Sequence, residues 1–221
     1  RAGRRGSLMR AITKGAEPVA LAQYRAMPGA VYDGGGFTPV KDAIREALLK
    51  EQGGLCAYCM QRIRADTMKV EHWHSRAGHS QEGLDYQNML GCCPGNEGQP
   101  RNSQHCDTRK GNDDISLNPA NPAHHARMKI RYEGDGTIRS DDPQFDEEIK
   151  DVLNLNWYRL RQNRKAVVEA VIQALSKHSG ARTRREIQRL IDRWNSPGAE
   201  GCFREYCDVA VYYLNRRLCR T

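Results

Sequence analysis

Apolar side chains recur at helical spacing in four stretches of the chain and alternate in one. The first stretch holds Ile44, Ala47 and Leu48. Thr38-Pro39 ahead of it offers an N-cap and a proline at the first helical position, and Gly53-Gly54 ends it. The pattern predicts a helix over roughly 40–52 leading directly into Cys56. Alternation of Met128, Ile130 and Tyr132, the turn Gly134-Asp135-Gly136 and the return Thr137-Ile138 predict a hairpin over roughly 127–140. From Asp146 onward the pattern is helical. Val167, Val168, Val171, Ile172 and Leu175 form one stripe, stopped at Ser179-Gly180. Ile187, Leu190, Ile191 and Trp194 form the next, opened by Thr183 and Glu186 at capping-box spacing. Tyr206, Val209, Ala210, Tyr213 and Leu214 form the last.

Two segments lack this order. Residues 9–37 carry Pro18, Pro28 and Asp33-Gly34-Gly35-Gly36, which predicts an irregular arm. Residues 1–8 are basic and aperiodic, and Met9-Arg10-Ala11-Ile12 reads as a natural start, so residues 1–8 are set aside as upstream or added sequence. Residues 55–112 are rich in cysteine, histidine and glycine and poor in apolar runs, so they need a bound metal to supply folding energy. The expected organisation is an irregular arm over 1–37, a metal-stabilised domain with its hairpin over 38–145, and a helical region over 146–221.

Composition narrows the class. The 221 residues allow one fair-sized core or two small ones. No stretch approaches the roughly 18–20 apolar residues of a membrane span, and no secretory signal is visible, so the expected location is the cytoplasm. A formal net charge of +8 favours polyanionic partners, nucleic acid first among them. Of the 8 cysteines, Cys56, Cys59, Cys92, Cys93 and Cys106 cluster in one half and Cys202, Cys207 and Cys219 lie near the end. In a reducing compartment, metal ligation and free thiols are the better reading than disulfides.

Cys56-Ala57-Tyr58-Cys59 has the C-x2-C spacing of a metal knuckle, and no βαβ pattern accompanies it to support a redox motif. A second half-site lies at Cys92-Cys93 and Cys106. Adjacent side chains of extended chain point opposite ways. Cys93, followed by the turn residues Pro94-Gly95, is therefore preferred over Cys92. The expected structural site is Cys56, Cys59, Cys93 and Cys106 around Zn²⁺, with Cys92 or His105 as substitute ligands.

Between and beyond the half-sites come Glu71-His72-Trp73-His74, then Tyr86-Gln87-Asn88-Met89-Leu90, then Cys106-Asp107-Thr108-Arg109-Lys110-Gly111-Asn112. This order resembles the HNH, or ββα-metal, nuclease motif. With Gly53-Gly54-Leu55 ahead of the first knuckle and Leu153-Asn154-Leu155-Asn156 behind, it is similar to the HNH nucleases of Septu-type and retron-associated anti-phage systems. The resemblance spans about residues 9 to 165 of the sequence.

The resemblance implies an α+β fold with a ββα-metal core. It makes His72 the general base, Asn88 the residue that orients loop and base, and Glu71 and Asp107 ligands of a catalytic Mg²⁺ or Mn²⁺. Asp107 stands where the family usually has Asn or His. Arg109 and Lys110 are expected on phosphate. The implied partners are a nucleic-acid substrate, DNA favoured, an ABC/SMC-like ATPase, and a retron reverse transcriptase with its DNA. Any ATP site belongs to the partner, since the chain has no G-x4-G-K-[ST] loop. The competing reading is a zinc-ribbon binding or adaptor module without cleavage. His74 and His79 are expected at the surface or beside the site, and His124 and His125 in a solvated loop.

Overall fold

The computed structural model describes residues 9–177, 182–198 and 200–219. It is a mixed α+β structure: helices α1 (Val19–Arg25) and α2 (Thr38–Glu51), strands β1 (Lys69–His72) and β2 (Met89–Cys92), helices α3 (Cys106–Lys110) and α4 (Pro122–Met128), strands β3 (Ile130–Tyr132) and β4 (Ile138–Ser140), and helices α5 (Pro143–Glu147), α6 (Tyr158–Ser176), α7 (Arg184–Asn195) and α8 (Cys207–Leu218). A wider, π-helical turn, Glu148–Val152, continues α5. No helix among the described residues is long and apolar enough to cross a membrane.

Both sheets are two-stranded and antiparallel. In one, β1 meets β2 with Lys69 opposite Cys92 and His72 opposite Met89; in the other, Ile130 pairs with Ser140. Isolated pairs of such short strands are marginal in water, so each leans on helices. Helix α2 buries Val40, Ile44 and Leu48 and packs on β1 and β2. Gln52, at its C-terminal end, donates from Nε2 to the carbonyls of Leu55 and Gly91 and accepts the Gly91 amide, each at 2.7 Å. The β3–β4 hairpin is held by the fully buried Arg164 of α6, which donates to the carbonyls of Gly136 at 2.6 Å and Leu155 at 2.8 Å. Only glycine suits position 136: φ is +84°, and a Cβ would lie 2.0 Å from the Arg161 carbonyl oxygen.

A second, smaller core joins α6, α7 and α8 through Val171, Ile187, Ile191, Ala210 and Leu214. The capping box opening α7 is formed: Thr183 accepts the Glu186 amide, and the Glu186 carboxylate accepts the Thr183 amide at 2.8 Å. Thr183→Ala should lower stability by about 1 kcal/mol, the usual worth of such a cap, read as a shift of the urea midpoint with an unchanged slope.

Three features depart from the sequence expectations. The arm is not wholly irregular. It contains α1, and it is docked rather than loose: Met9, Ile12, Leu21 and Tyr24 are buried, and Lys14 lies 3.2 Å from Glu51 and over the Tyr86 ring. Its helix starts just after Pro18, the N-cap residue, whose fixed φ is compatible with a helix entrance. His124 and His125 lie in α4, not in a loop, because Asn121 caps the helix and Pro122 occupies its first position. The helical N-cap of α2 is Phe37, one residue before the expected Thr38. Residues 1–8 and the expected stop at Ser179-Gly180 lie outside the described residues.

Candidate metal centre and cleft

Four buried cysteines converge from three places in the chain. Cys56 and Cys59 come from the knuckle after α2, Cys93 from the end of β2, and Cys106 from the start of α3. Their sulfurs lie within 4.8 Å of one another, with Cys56 to Cys106 at 3.8 Å and Cys59 to Cys93 at 3.7 Å. A tetrahedral ion with metal–sulfur bonds of about 2.3 Å sets its ligands about 3.8 Å apart, so the residues present fit such an ion. The backbone is bent to make the fit. Cys106 sits at φ +55° and Met60, just after Cys59, at φ +63°, in the left-handed region that costs an L-residue roughly 1–2 kcal/mol. Gly95 is at φ +57° with the His105 carbonyl where a Cβ would stand, 2.1 Å away. Cys93-Pro94-Gly95 therefore makes the turn that its residue types forecast.

Cys92 and His105 lie beside the four without joining them. Burial pushes the Cys92 thiol well up, and it hydrogen-bonds Cys56. His105 brings Nδ1 to 3.2 Å from Cys106 Sγ and stacks on Trp157. The set around Cys56 is electrostatically unusual. Burial pushes its thiol up, but hydrogen bonds from Cys106, Cys59, Cys92 and Cys93 outweigh burial and hold it well below the ordinary thiol range. Burial keeps Cys59 and Cys106 well above that range. Four thiolates together need a cation.

Next to this centre, β1, α2, the start of α3 and the loop after β1 wall a cleft of about 660 Å³. Glu71 and His72 are the last two residues of β1, and both line the cleft. Glu71 is buried. Its Oε1 accepts Tyr58 Oη at 2.9 Å and pairs with Lys110 Nζ at 3.0 Å. Burial raises its carboxyl well above the usual range; a hydrogen bond to Asp107 and that residue's charge add to the rise, and Lys110 opposes it. Glu71 and Asp107 thus bring two carboxylates together at the cleft, an arrangement that suits a divalent cation.

His72 is also buried. Tyr32 meets its ring edge-on with centroids 4.6 Å apart, and Nε2 lies 3.0 Å from the Gly83 carbonyl oxygen. That oxygen can only accept, so we assign the proton to Nε2, leaving Nδ1 as the basic nitrogen. Burial pushes the imidazole down to about 4; the Gly83 bond works in the other direction and Arg76 with burial. The ring is neutral at pH 7.

Asn88 does not touch this ring. Its Oδ1 accepts the His74 amide at 2.8 Å and its Nδ2 donates to the His74 carbonyl at 3.0 Å, while its own carbonyl accepts the Trp73 amide at 2.9 Å. It fixes the chain just past His72. The structure brings Glu71, His72 and Asp107 to the cleft, but not Arg109 or Lys110. Lys110 has no exposed side-chain surface and is tied to Glu71 and to the His72 carbonyl, at 3.0 Å each. Arg109 donates to the carbonyls of Arg101 and Asp151. Cationic side chains at the cleft come instead from Lys41, Arg45, Lys69 and Arg76. Lys69 lies 3.7 Å from Asp107.

Sequence reading missed Tyr58 and the Gly83 carbonyl. Tyr58 sits inside the knuckle, where the cysteines hold attention. A backbone acceptor carries no residue-type signal at all.

These features define an α+β protein with a buried cysteine cluster able to hold a metal, set beside a carboxylate–histidine cleft. No protein-family model matches the chain. It is similar to a protein of Vibrio cholerae serotype O1 biovar El Tor named "Retron Vc95 putative HNH endonuclease", with 26% identity over 152 residues that cover 65% of this chain and 73% of the relative.

Proposed function

We propose that the chain is a metal-dependent HNH endonuclease that hydrolyses phosphodiester bonds, DNA by preference. The observation that carries this reading is the meeting of Glu71, Asp107 and His72 in one basic-rimmed cleft. Two antiparallel strands followed by the short helix α3 supply the order of a ββα core, and the likeness to a retron-associated protein named for this activity supports the same class. The cysteine cluster would hold structural Zn²⁺. Glu71 and Asp107 would hold Mg²⁺ or Mn²⁺, which when bound supplies a Lewis acid for the phosphate and the leaving oxygen.

The chain's own groups then have separate tasks. Nδ1 of His72 takes the proton from an attacking water. Gly83 and Tyr32 fix the ring, and Asn88 fixes the chain that bears it. Lys110 compensates the buried charge of Glu71. Lys41, Arg45 and Arg76 draw the nucleic-acid backbone to the cleft. Arg109 and Lys110, already engaged elsewhere, support α3 rather than phosphate. In the cell, the proposal extends to an anti-phage effector of the Septu-type or retron-associated kind, acting in the cytoplasm with an ABC/SMC-like ATPase and a retron reverse transcriptase.

The test is cleavage of supercoiled plasmid and of total cellular RNA, with Mg²⁺, with Mn²⁺ and with chelator, by the wild-type chain and Asp107→Asn, each alone and with the ATPase. Cutting should require the divalent ion and fall at least about 100-fold in Asp107→Asn, as for loss of a key electrostatic group. Binding without cutting under every condition would support the zinc-ribbon reading instead.

A further inference from the structure

Outside the cleft, the loop between β1 and β2 gathers a second set of donor atoms. His74, His79 and Glu82 each place one within 4.8 Å of the others. His74 Nδ1 lies 2.8 Å from Glu82 Oε2, and His79 Nδ1 lies 4.0 Å from Glu82 Oε1. The two imidazoles stack with centroids 4.5 Å apart and planes 21° from parallel. From the geometry we infer a second metal site here, an exchangeable one for a borderline divalent ion, Zn²⁺ first and Ni²⁺ or Co²⁺ by the same chemistry.

Ligand type, spacing and support all favour an ion. Two imidazole nitrogens and one carboxylate oxygen are the donor set of three-ligand zinc sites that keep a position open. Bonds of about 2.0–2.1 Å in a tetrahedron put such atoms about 3.3 Å apart, between the two separations seen, so small side-chain shifts suffice. The other nitrogen of His79, Nε2, lies 3.0 Å from Asp114 Oδ2. A carboxylate behind the far nitrogen is how metal-bound histidines are commonly oriented.

The scaffold is held from outside the set as well. Asn88 clamps both backbone groups of His74, and Asp114 Oδ1 accepts the Ser75 amide at 2.7 Å. The three ligands are half-buried, unlike the buried cysteines, so an ion here would exchange with solvent. Mg²⁺, which prefers oxygen ligands, is disfavoured by the two imidazoles. An ion would staple the loop whose Gly83 carbonyl holds His72.

The experiment measures zinc per chain on the full protein, first after dialysis against EDTA and then after addition of Zn²⁺ and gel filtration. Wild type, His74→Ala/His79→Ala, Asp114→Ala and Asp107→Asn are compared. Trp73 stacks on His74 with centroids 4.0 Å apart, so quenching of tryptophan fluorescence by Co²⁺ or Ni²⁺ gives a local readout. After Zn²⁺ addition, the double variant should take up one ion fewer than wild type, with the quenching lost. Asp107→Asn should keep both. Asp114→Ala should weaken uptake about 10- to 100-fold. Retention of zinc through EDTA by the double variant shows that its thiolate centre and fold persist. Equal uptake by wild type and the double variant, or quenching unchanged in it, overturns the proposal. Should the double variant fail to fold, quenching in Glu82→Gln decides the matter: undiminished quenching there overturns it equally.

Discussion

On the proposed nuclease reading of the cleft, His72→Ala should lower phosphodiester cleavage by about 10²- to 10⁴-fold, the usual range for loss of a positioned general base, while the protein stays folded. The ring is buried, so its removal carries a stability cost as well. It gives up the Tyr32 contact and the bond to the Gly83 carbonyl. That cost is of the order of 1–3 kcal/mol, as for other buried polar truncations. A shift of several degrees in Tm is therefore expected and does not account for the lost rate, provided that both proteins are assayed well below the transition. Added imidazole offers a discriminating readout, because the vacated space opens onto the cleft. Partial recovery of cleavage by imidazole, rising with its free-base concentration, would identify the missing group as a base. Wild-type rates in His72→Ala would remove His72 from the chemistry and with it the nuclease reading of the cleft.

The two halves of the molecule were unequally legible before any coordinates. The helical stripes after residue 158 name most of their own buried residues: Val168, Val171, Ile187, Ile191, Val209, Ala210 and Leu214 are in the cores, whereas Ile172 of the first stripe is 54% exposed. A helix of 12 or 19 residues repeats its pattern often enough to be read. Strands β1 and β2 are 4 residues each, and all four positions of β2 are buried, so no alternation marks them. Their register, Glu71 opposite Leu90, arises from contacts across a loop that local pattern does not contain.

The site was legible in type but not in wiring. Spacing grouped Cys56 with Cys59, and turn chemistry selected Cys93. Resemblance picked out Glu71, His72, Asn88 and Asp107. That Asn88 works through the His74 backbone, and that Lys110 turns inward to Glu71, depends on three-dimensional packing. A lysine in the last turn of a short helix is ordinarily solvated. Here the charge of Glu71 and the carbonyl of His72 supply its partners, so its burial could not be inferred from residue type.

Cys59→Ser should abolish the metal centre and unfold the segment around it, whereas Cys92→Ser should do neither. The reasoning starts from how little else holds residues 55–112. Their strands are short, and the bends at Met60 and Cys106 put L-residues in the left-handed region. A structural zinc contributes about 10–16 kcal/mol of apparent binding free energy in small thiolate sites, comparable to the whole stability of a typical domain, about 5–15 kcal/mol. Loss of one ligand weakens that contribution and leaves three buried thiols crowded without a cation. The consequence should spread beyond the knuckle. The tail is sewn to it by the Tyr206 amide on the Met60 carbonyl, the Phe203 amide on the Gly53 carbonyl, and Arg62 bonded to Phe203 and Glu205. Cys92, by contrast, only adjoins Cys56, and serine there keeps the four sulfurs intact. The expected result is a Cys59→Ser protein with substantially less than one EDTA-resistant zinc per chain, no near-ultraviolet circular dichroism and no cooperative melt, beside a Cys92→Ser protein that retains all three. If Cys59→Ser kept wild-type zinc and a wild-type melt, the cluster would not be what stabilises this fold. The strained bends would then have to be held by packing against α2 and the tail alone.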